Sequence, residues 1–206
     1  MKKIRKVKRR TTPKPLKKTP YLLLDLTQEE KKRYRVGKYF PFNLPPIIAK
    51  FIKSGNPSYS PLKDFELGNG FFIHGPAGAG KSCEAACMLI DIAIQTNKRG
   101  YWVNTPKLLN DIKKGFGNRE GEDLIEKYSK TPILCLDDLG SEQSTAWAMP
   151  TIYLIINSRY ENMLTTIITS NLNLSELSKK MEDDRLASRI AGMCNQIEMD
   201  EEDKRL

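Results

Sequence analysis

Residues Gly75-Pro76-Ala77-Gly78-Ala79-Gly80-Lys81-Ser82 fit the pattern G-x-x-x-x-G-K-[ST], whose fixed positions all serve a phosphate. Glycines reach positive φ and let backbone N–H groups approach phosphate oxygens, and a helix opening at the end of the run adds the positive end of its dipole. Lys81 is expected to reach the β and γ phosphates and Ser82 to hold Mg²⁺. A nucleoside triphosphate is therefore the expected ligand. The flanks agree: Phe71, Phe72 and Ile73 read as a buried strand, and Cys83 to Gln95 carry a helical apolar pattern.

Three further groups of residues could complete such a site. Ile133-Leu134-Cys135-Leu136 is an apolar strand running into Asp137 and Asp138, 56 residues after Lys81, the form of a Walker B element. Asp137 would orient Mg²⁺ and its waters. Asp138 stands where a base, usually Glu, polarises the attacking water, and its shorter side chain leaves the hydrolysis rate open. The run Thr166-Ile167-Ile168-Thr169-Ser170-Asn171 ends in a residue that could hydrogen-bond a γ-phosphate and the lytic water, the role called sensor 1. Asn at a strand end is also a common turn former. Lastly, Arg185 and Arg189 lie four apart on one face of a helix, and guanidinium groups suit the charge that develops on a transferring phosphoryl group. The alternative is a surface pair bridging Asp183 and Asp184.

These residues need a scaffold that gathers strand ends. From about Leu67 onward the pattern alternates: strands are expected at 70–74, 101–104, 133–137, 166–170 and 196–199, and helices from near Lys81, Pro106, Gly121, Trp147 and Leu174. Such alternation predicts a parallel sheet covered on both faces, an α/β fold whose ligands bind at the carboxyl ends of the strands. Every group named above falls at or near one of those ends.

The rest of the chain is built differently. Ten of its 34 Lys and Arg residues lie between Lys2 and Lys18, before the first acid at Asp25, which leaves 24 basic against 25 acidic residues afterwards. With three prolines and few large apolar residues, residues 1–20 are expected to form a basic disordered tail. It reads as an electrostatic arm for nucleic acid, against a solubilising tail or a localisation signal. Residues 21–65 form an appendage of unassigned role: a capping box at Thr27 to Glu30 predicts a helix to about Tyr34, Tyr39 to Phe42 interleave rings with bases, Pro45-Pro46 open a second helix to Lys53, and 54–61 read as a linker. The phosphate-loop domain occupies 66–206. No apolar run approaches the length of a membrane span and no secretory h-region follows the charged start, which predicts a cytoplasmic protein. Cys83, Cys87, Cys135 and Cys194 show no metal-ligand spacing and read as free thiols, mostly buried.

The order GPAGAGKS, LCLDDLG, NSRYE (157–161), TIITSNLNLSEL (166–177) and DDRLASRI closely resembles the AAA+ ATPases of the DnaC, DnaI and IstB type, the bacterial and phage helicase loaders and the helper ATPases of some transposons. The resemblance covers about 66–206. It implies a P-loop NTPase of AAA+ type, a three-layer sandwich on a five-stranded sheet of order 51432, with ATP and Mg²⁺ bound between subunits of a homo-oligomer. It also implies contact with single-stranded DNA and delivery of a replicative helicase, or of a transposase in the transposition branch. Arg189 would be the arginine finger supplied in trans, Arg185 a second candidate one turn earlier, and Arg205 a nucleotide-sensing arginine. A full C-terminal lid is not expected after Met199, and residues 1–65 match no adaptor domain of the family. A small-molecule kinase would share the phosphate loop but should show an Arg-rich lid, and the TSN strand and RLASR helix argue for a hydrolase switch. A switch that binds ATP and DNA with little turnover stays open because of Asp138.

Overall fold

A computed structural model describes residues 43–53, 62, 65–115, 119–141, 147–182 and 184–199. The expectations for the basic tail, the helix at 27–34, the aromatic run at 39–42, the linker and Arg205 lie outside these residues.

Helix α1 (Pro46–Lys53) precedes the alternating unit. The order is then β1 (Gly70–His74), α2 (Lys81–Thr96), β2 (Gly100–Asn104), α3 (Thr105–Gly115), α4 (Glu120–Lys130), β3 (Ile133–Leu139), α5 (Ala148–Glu161), β4 (Thr165–Ser170), α6 (Leu174–Met181), α7 (Asp184–Met193) and β5 (Cys194–Glu198). The strands form one parallel sheet of order β2-β3-β4-β1-β5, which read from the other edge is the expected 51432. The core shows why these residues make strands rather than helices. Side chains alternate across a strand, so Phe71, Ile73, Ile133, Cys135 and Ile167 pack beneath α2 and α1, while Phe72, Leu134, Leu136 and Ile168 pack beneath α3 to α7. Both faces are dry, as a parallel sheet requires. Each fully buried Ile, Leu or Phe contributes about 1.5–3 kcal/mol.

Two strand boundaries differ from the sequence pattern by more than one residue. Strand β5 begins at Cys194 rather than Gln196, because Cys194 pairs with Gly70 and its thiol points at the Thr166 carbonyl oxygen. Strand β3 continues past Asp137 to Leu139, but not regularly. Leu136 pairs with Ile168 and Leu139 with Ser170, so β3 spends one more residue than β4 over the same stretch. The bulge falls on Asp137 and Asp138, and Asp138 takes the left-handed conformation with φ 65°. Bulges of this kind re-aim side chains next to sites.

One interior residue follows no apolar pattern. Arg159 of α5 is fully buried. Its Nε donates to Thr166 Oγ1 (2.8 Å), Nη1 to the carbonyls of Tyr128 (2.8 Å) and Thr131 (2.7 Å), and Nη2 to that of Thr165 (2.6 Å). It thereby ties the end of α4 and the start of β4 to α5. Burial pulls its guanidinium down to about 9, still charged at neutral pH. Among the described residues no helix is long and apolar enough to cross a membrane.

Candidate nucleotide site

The sheet order places β4 between β1, which feeds the phosphate loop, and β3, which carries the acids. Groups from β1 and β3 must therefore meet over the end of β4. They do so through three side chains. Ser82 Oγ donates to Asp137 Oδ1 (2.8 Å), and Thr169 Oγ1 of β4 donates to the same oxygen (2.8 Å). The Thr169 hydroxyl also accepts the backbone N–H of Asp138 at 2.9 Å, which pins the bulged residue in its left-handed conformation.

The loop itself turns on glycines. Gly75 has φ 141°, and a Cβ there would lie 1.9 Å from the Met199 carbonyl oxygen, so no side chain fits. Gly80 sits at the cap of α2 with φ 94° and offers no capping side chain, so the positive end of the helix dipole faces the loop where an anion would bind. Lys81 is buried, and its Nζ donates to the carbonyls of Gly75 (2.8 Å) and Pro76 (2.6 Å), so its charge is held within the loop. Pro76, Ala77 and Gly78 form the exposed or half-exposed crown of the loop, and Ala79 is buried beneath it.

The Asp137 carboxyl is held above its ordinary value. Burial is the main cause and Asp138 adds to it, while the hydrogen bonds from Ser82 and Thr169 and the charge of Lys81 oppose it. A carboxylate in that position is short of positive charge. The hydroxyl of Ser82 and the carboxylate of Asp137 are hard oxygen donors within 2.8 Å of each other, a donor pair that fits Mg²⁺. With the loop N–H groups and Lys81 beside them, the arrangement can take a triphosphate and a divalent cation together.

The remaining predicted residues divide between two places. Asn171 follows the last residue of β4 at this same carboxyl end and is exposed. Arg185 and Arg189 lie on α7, which runs from the carboxyl side of the sheet down to the amino end of β5. Both arginines lean on α5: Arg185 lies over the Tyr153 ring at 5.0 Å, and Arg189 over the Tyr160 ring at 4.7 Å. Arg189 Nε donates to Asn157 Oδ1 at 2.9 Å. The pair does share a helix face, and what it meets there is a row of α5 residues. Asp183 lies outside the described residues.

The sequence reading did not single out Thr169, Asn157, Tyr160 or Tyr153. A buried hydroxyl must find a partner, so a threonine inside an apolar strand, one residue before its end, was the available signal for Thr169. For the α5 residues the signal was weaker: Tyr153, Asn157 and Tyr160 recur at helical spacing, which packing alone also produces. The cysteines are free thiols, three buried and Cys83 half-buried. Among the described residues no cluster of three or more His, Cys, Asp or Glu side chains is arranged to hold a metal ion.

With this geometry in place, comparison with known proteins is specific. Residues 66–206, more than half of the chain, match the family model of the IstB-like ATP binding protein. The replicative helicase loader DnaI of Bacillus subtilis is 22% identical over 213 residues, covering 98% of this chain and 66% of DnaI. An insertion-sequence protein of Mycobacterium tuberculosis described as ATP-binding is 29% identical over 113 residues, covering 53% of this chain and 43% of that protein. The chain thus spans about two thirds or less of the length of these curated relatives. The crystal structure of the DnaC helicase loader superposes with a TM-score of 0.60 at 28% identity, covering 82% of this chain and 99% of that one. The chain belongs to the IstB-like ATP-binding family, with the AAA+ type of P-loop fold shared by DnaC and DnaI.

Proposed function

We propose that this protein is a self-associating ATPase that binds single-stranded DNA and delivers a replicative helicase. The observation that carries the reading is the division of the predicted site between two ends of one domain. The loop, Ser82, Asp137, Asp138 and Asn171 stand at the carboxyl end of the sheet, whereas Arg189 stands toward the amino end, where α7 leads into β5. One chain therefore cannot close Arg189 onto its own loop, and a second copy can. The similarity to the DnaC loader over nearly all of that chain's length supports the helicase-delivery part.

In this reading the loop N–H groups and Lys81 hold the β and γ phosphates, exchanging the carbonyls of Gly75 and Pro76 for phosphate oxygens. Ser82 and Asp137 hold Mg²⁺, which when bound neutralises charge on the phosphates. Asp138 polarises the attacking water, Asn171 orients it, and Arg189 of the neighbouring subunit stabilises the charge on the γ-phosphoryl group as it transfers. Arg185, one turn nearer the carboxyl end, is the second candidate for that contact, and Arg205 for sensing the nucleotide. The ten cations before residue 19 form the arm that meets DNA phosphates. A transposition helper is the second reading, favoured by the insertion-sequence relative; it shares every step at the nucleotide and differs in its partner, a transposase.

The decisive experiment mixes two variants. Lys81→Ala removes the phosphate contact and Arg189→Ala the trans contact, and each alone should lose turnover by about 10³-fold or more. Mixed together they should regain a measurable fraction, because each interface joining an intact loop to an intact Arg189 is complete. Turnover that survives Arg189→Ala at more than a tenth of the parent, or a mixture no better than its components, would sink the trans assignment.

A further inference from the structure

We infer that Asn157 and Tyr160 of α5 are positioning residues for Arg189, holding its guanidinium so that only the terminal fork is offered to a second copy of the chain. The inference rests on the trans reading above and concerns residues that reading does not need. Three observations carry it. Arg189 is held at two places: Nε donates to Asn157 Oδ1 at 2.9 Å, and Cζ lies over the Tyr160 ring, 4.7 Å from its centroid. Its two terminal nitrogens make no hydrogen bond among the described residues, and those are the atoms that meet a phosphate bidentately. The acid of the same helix turn is also occupied elsewhere: Glu161 accepts from Asn157 Nδ2 at 2.8 Å.

The holding residues are themselves held. The Glu161 contact fixes the Asn157 amide so that its oxygen faces Arg189, and Tyr153 Oη donates to that oxygen at 3.4 Å. Gly192, on α7 one turn past Arg189, makes room for the ring: a Cβ there would come within 3.0 Å of Tyr160 Cε2. An arginine that served only packing would spend its fork on protein acceptors, as Arg159 does. Freezing a free arginine side chain costs rotamer entropy, and a side chain already fixed in the separate subunit spares the assembled site most of that cost.

The test uses the full-length protein with ATP and Mg²⁺, reading turnover, nucleotide affinity of the separate subunit and the concentration midpoint of ATP-dependent self-association. Asn157→Leu and Tyr160→Leu should each lower turnover at least tenfold and raise the association midpoint, with nucleotide affinity within twofold of the parent. Tyr160→Phe, which keeps the ring, should stay within about threefold in turnover. In an Arg189→Ala background, Asn157→Leu should add less than a twofold further loss, since the two act as one unit. Losses that multiply in the double variant, or Leu variants with parental turnover beside an inactive Arg189→Ala, would overturn the positioning and leave the trans reading standing. Parental turnover and association in Arg189→Ala itself would overturn both. A Leu variant that loses nucleotide affinity as well would have disturbed the fold, and Tyr160→Phe then decides: a Phe variant as inactive as Arg189→Ala overturns the proposal.

Discussion

Helix α5 carries Arg159 and receives Arg189 from α7, and the contrast between these two arginines separates what holds this domain together from what it presents to others. Arg159 lies in the interior, its guanidinium engaged by four acceptors from α4 and β4. Arg189, reaching α5 from α7, is bonded through one nitrogen and stacked on one ring, with its fork directed elsewhere. The same division holds at a larger scale. At the carboxyl end of the sheet Lys81, Ser82, Asp137 and Thr169 are bonded to one another or to the loop, so a ligand enters by exchange of partners. On the α5–α7 face a positive charge is left over. Groups that satisfy each other form a site for a small molecule; a group fixed yet unspent points to something brought from outside the chain.

The largest expected effect tests the first arginine. Arg159→Met should lower folding stability by about 3 kcal/mol or more, because it strands buried carbonyls that cannot reach water, whereas Arg189→Met should cost less than about 1 kcal/mol. Denaturant unfolding of both variants checks the difference, and equal losses would erase the contrast.

Next in size is nucleotide affinity. Lys81→Ala should weaken ATP binding on the order of 10- to 100-fold, the worth of charged hydrogen bonds to phosphate, while Arg189→Ala should leave binding to the separate subunit within about threefold. Titration of a fluorescent ATP analogue at low protein concentration would show it. Comparable losses would mean that Arg189 serves the same pocket as the loop.

The smallest effect concerns Asp137. Burial holds its carboxyl above the ordinary range, so the folded chain takes up that proton at a higher pH than the unfolded chain does. The contribution of this group to stability without nucleotide or Mg²⁺ therefore grows as pH falls through the folded value and is lost as pH rises. Asp137→Asn, neutral at every pH, should abolish that dependence and stabilise the ligand-free protein at pH 7 on the order of 1 kcal/mol, while impairing Mg²⁺-dependent nucleotide binding. Melting curves between about pH 4 and 8 would decide. A parent whose stability rises with pH relative to Asp137→Asn would reverse the assignment.

Much of the fold was legible because it rests on local periodicity. Phe71 to Ile73 and Ile133 to Leu136 alternate between two dry faces, and a strand feeding Gly-rich residues and a helix is a local pattern that a short window contains. The β3 bulge was not legible. The sequence pattern ends this strand at Asp137, and only pairing with β4 shows that it continues to Leu139 with one residue too many accommodated at Asp137 and Asp138. Arg159 was hidden for a related reason, since a lone cation in a helix reads as exposed until the carbonyls of Tyr128, Thr131 and Thr165 close around it.

By itself the sequence determined the chemistry on offer. Fixed spacing between Gly75 and Ser82 sets the loop, because those groups act through neighbouring backbone, and the types at Asp137, Asn171, Arg185 and Arg189 set which charges strand and helix ends can carry. Tertiary structure alone decided which of them meet. Inserting β4 between β1 and β3 brings Thr169 to the same Asp137 oxygen that Ser82 bonds, and the downward course of α7 carries Arg189 away from its own loop and onto Asn157 and Tyr160. Contacts between residues far apart in the chain depend on strand order and helix direction, and neither is encoded within any short stretch of residues.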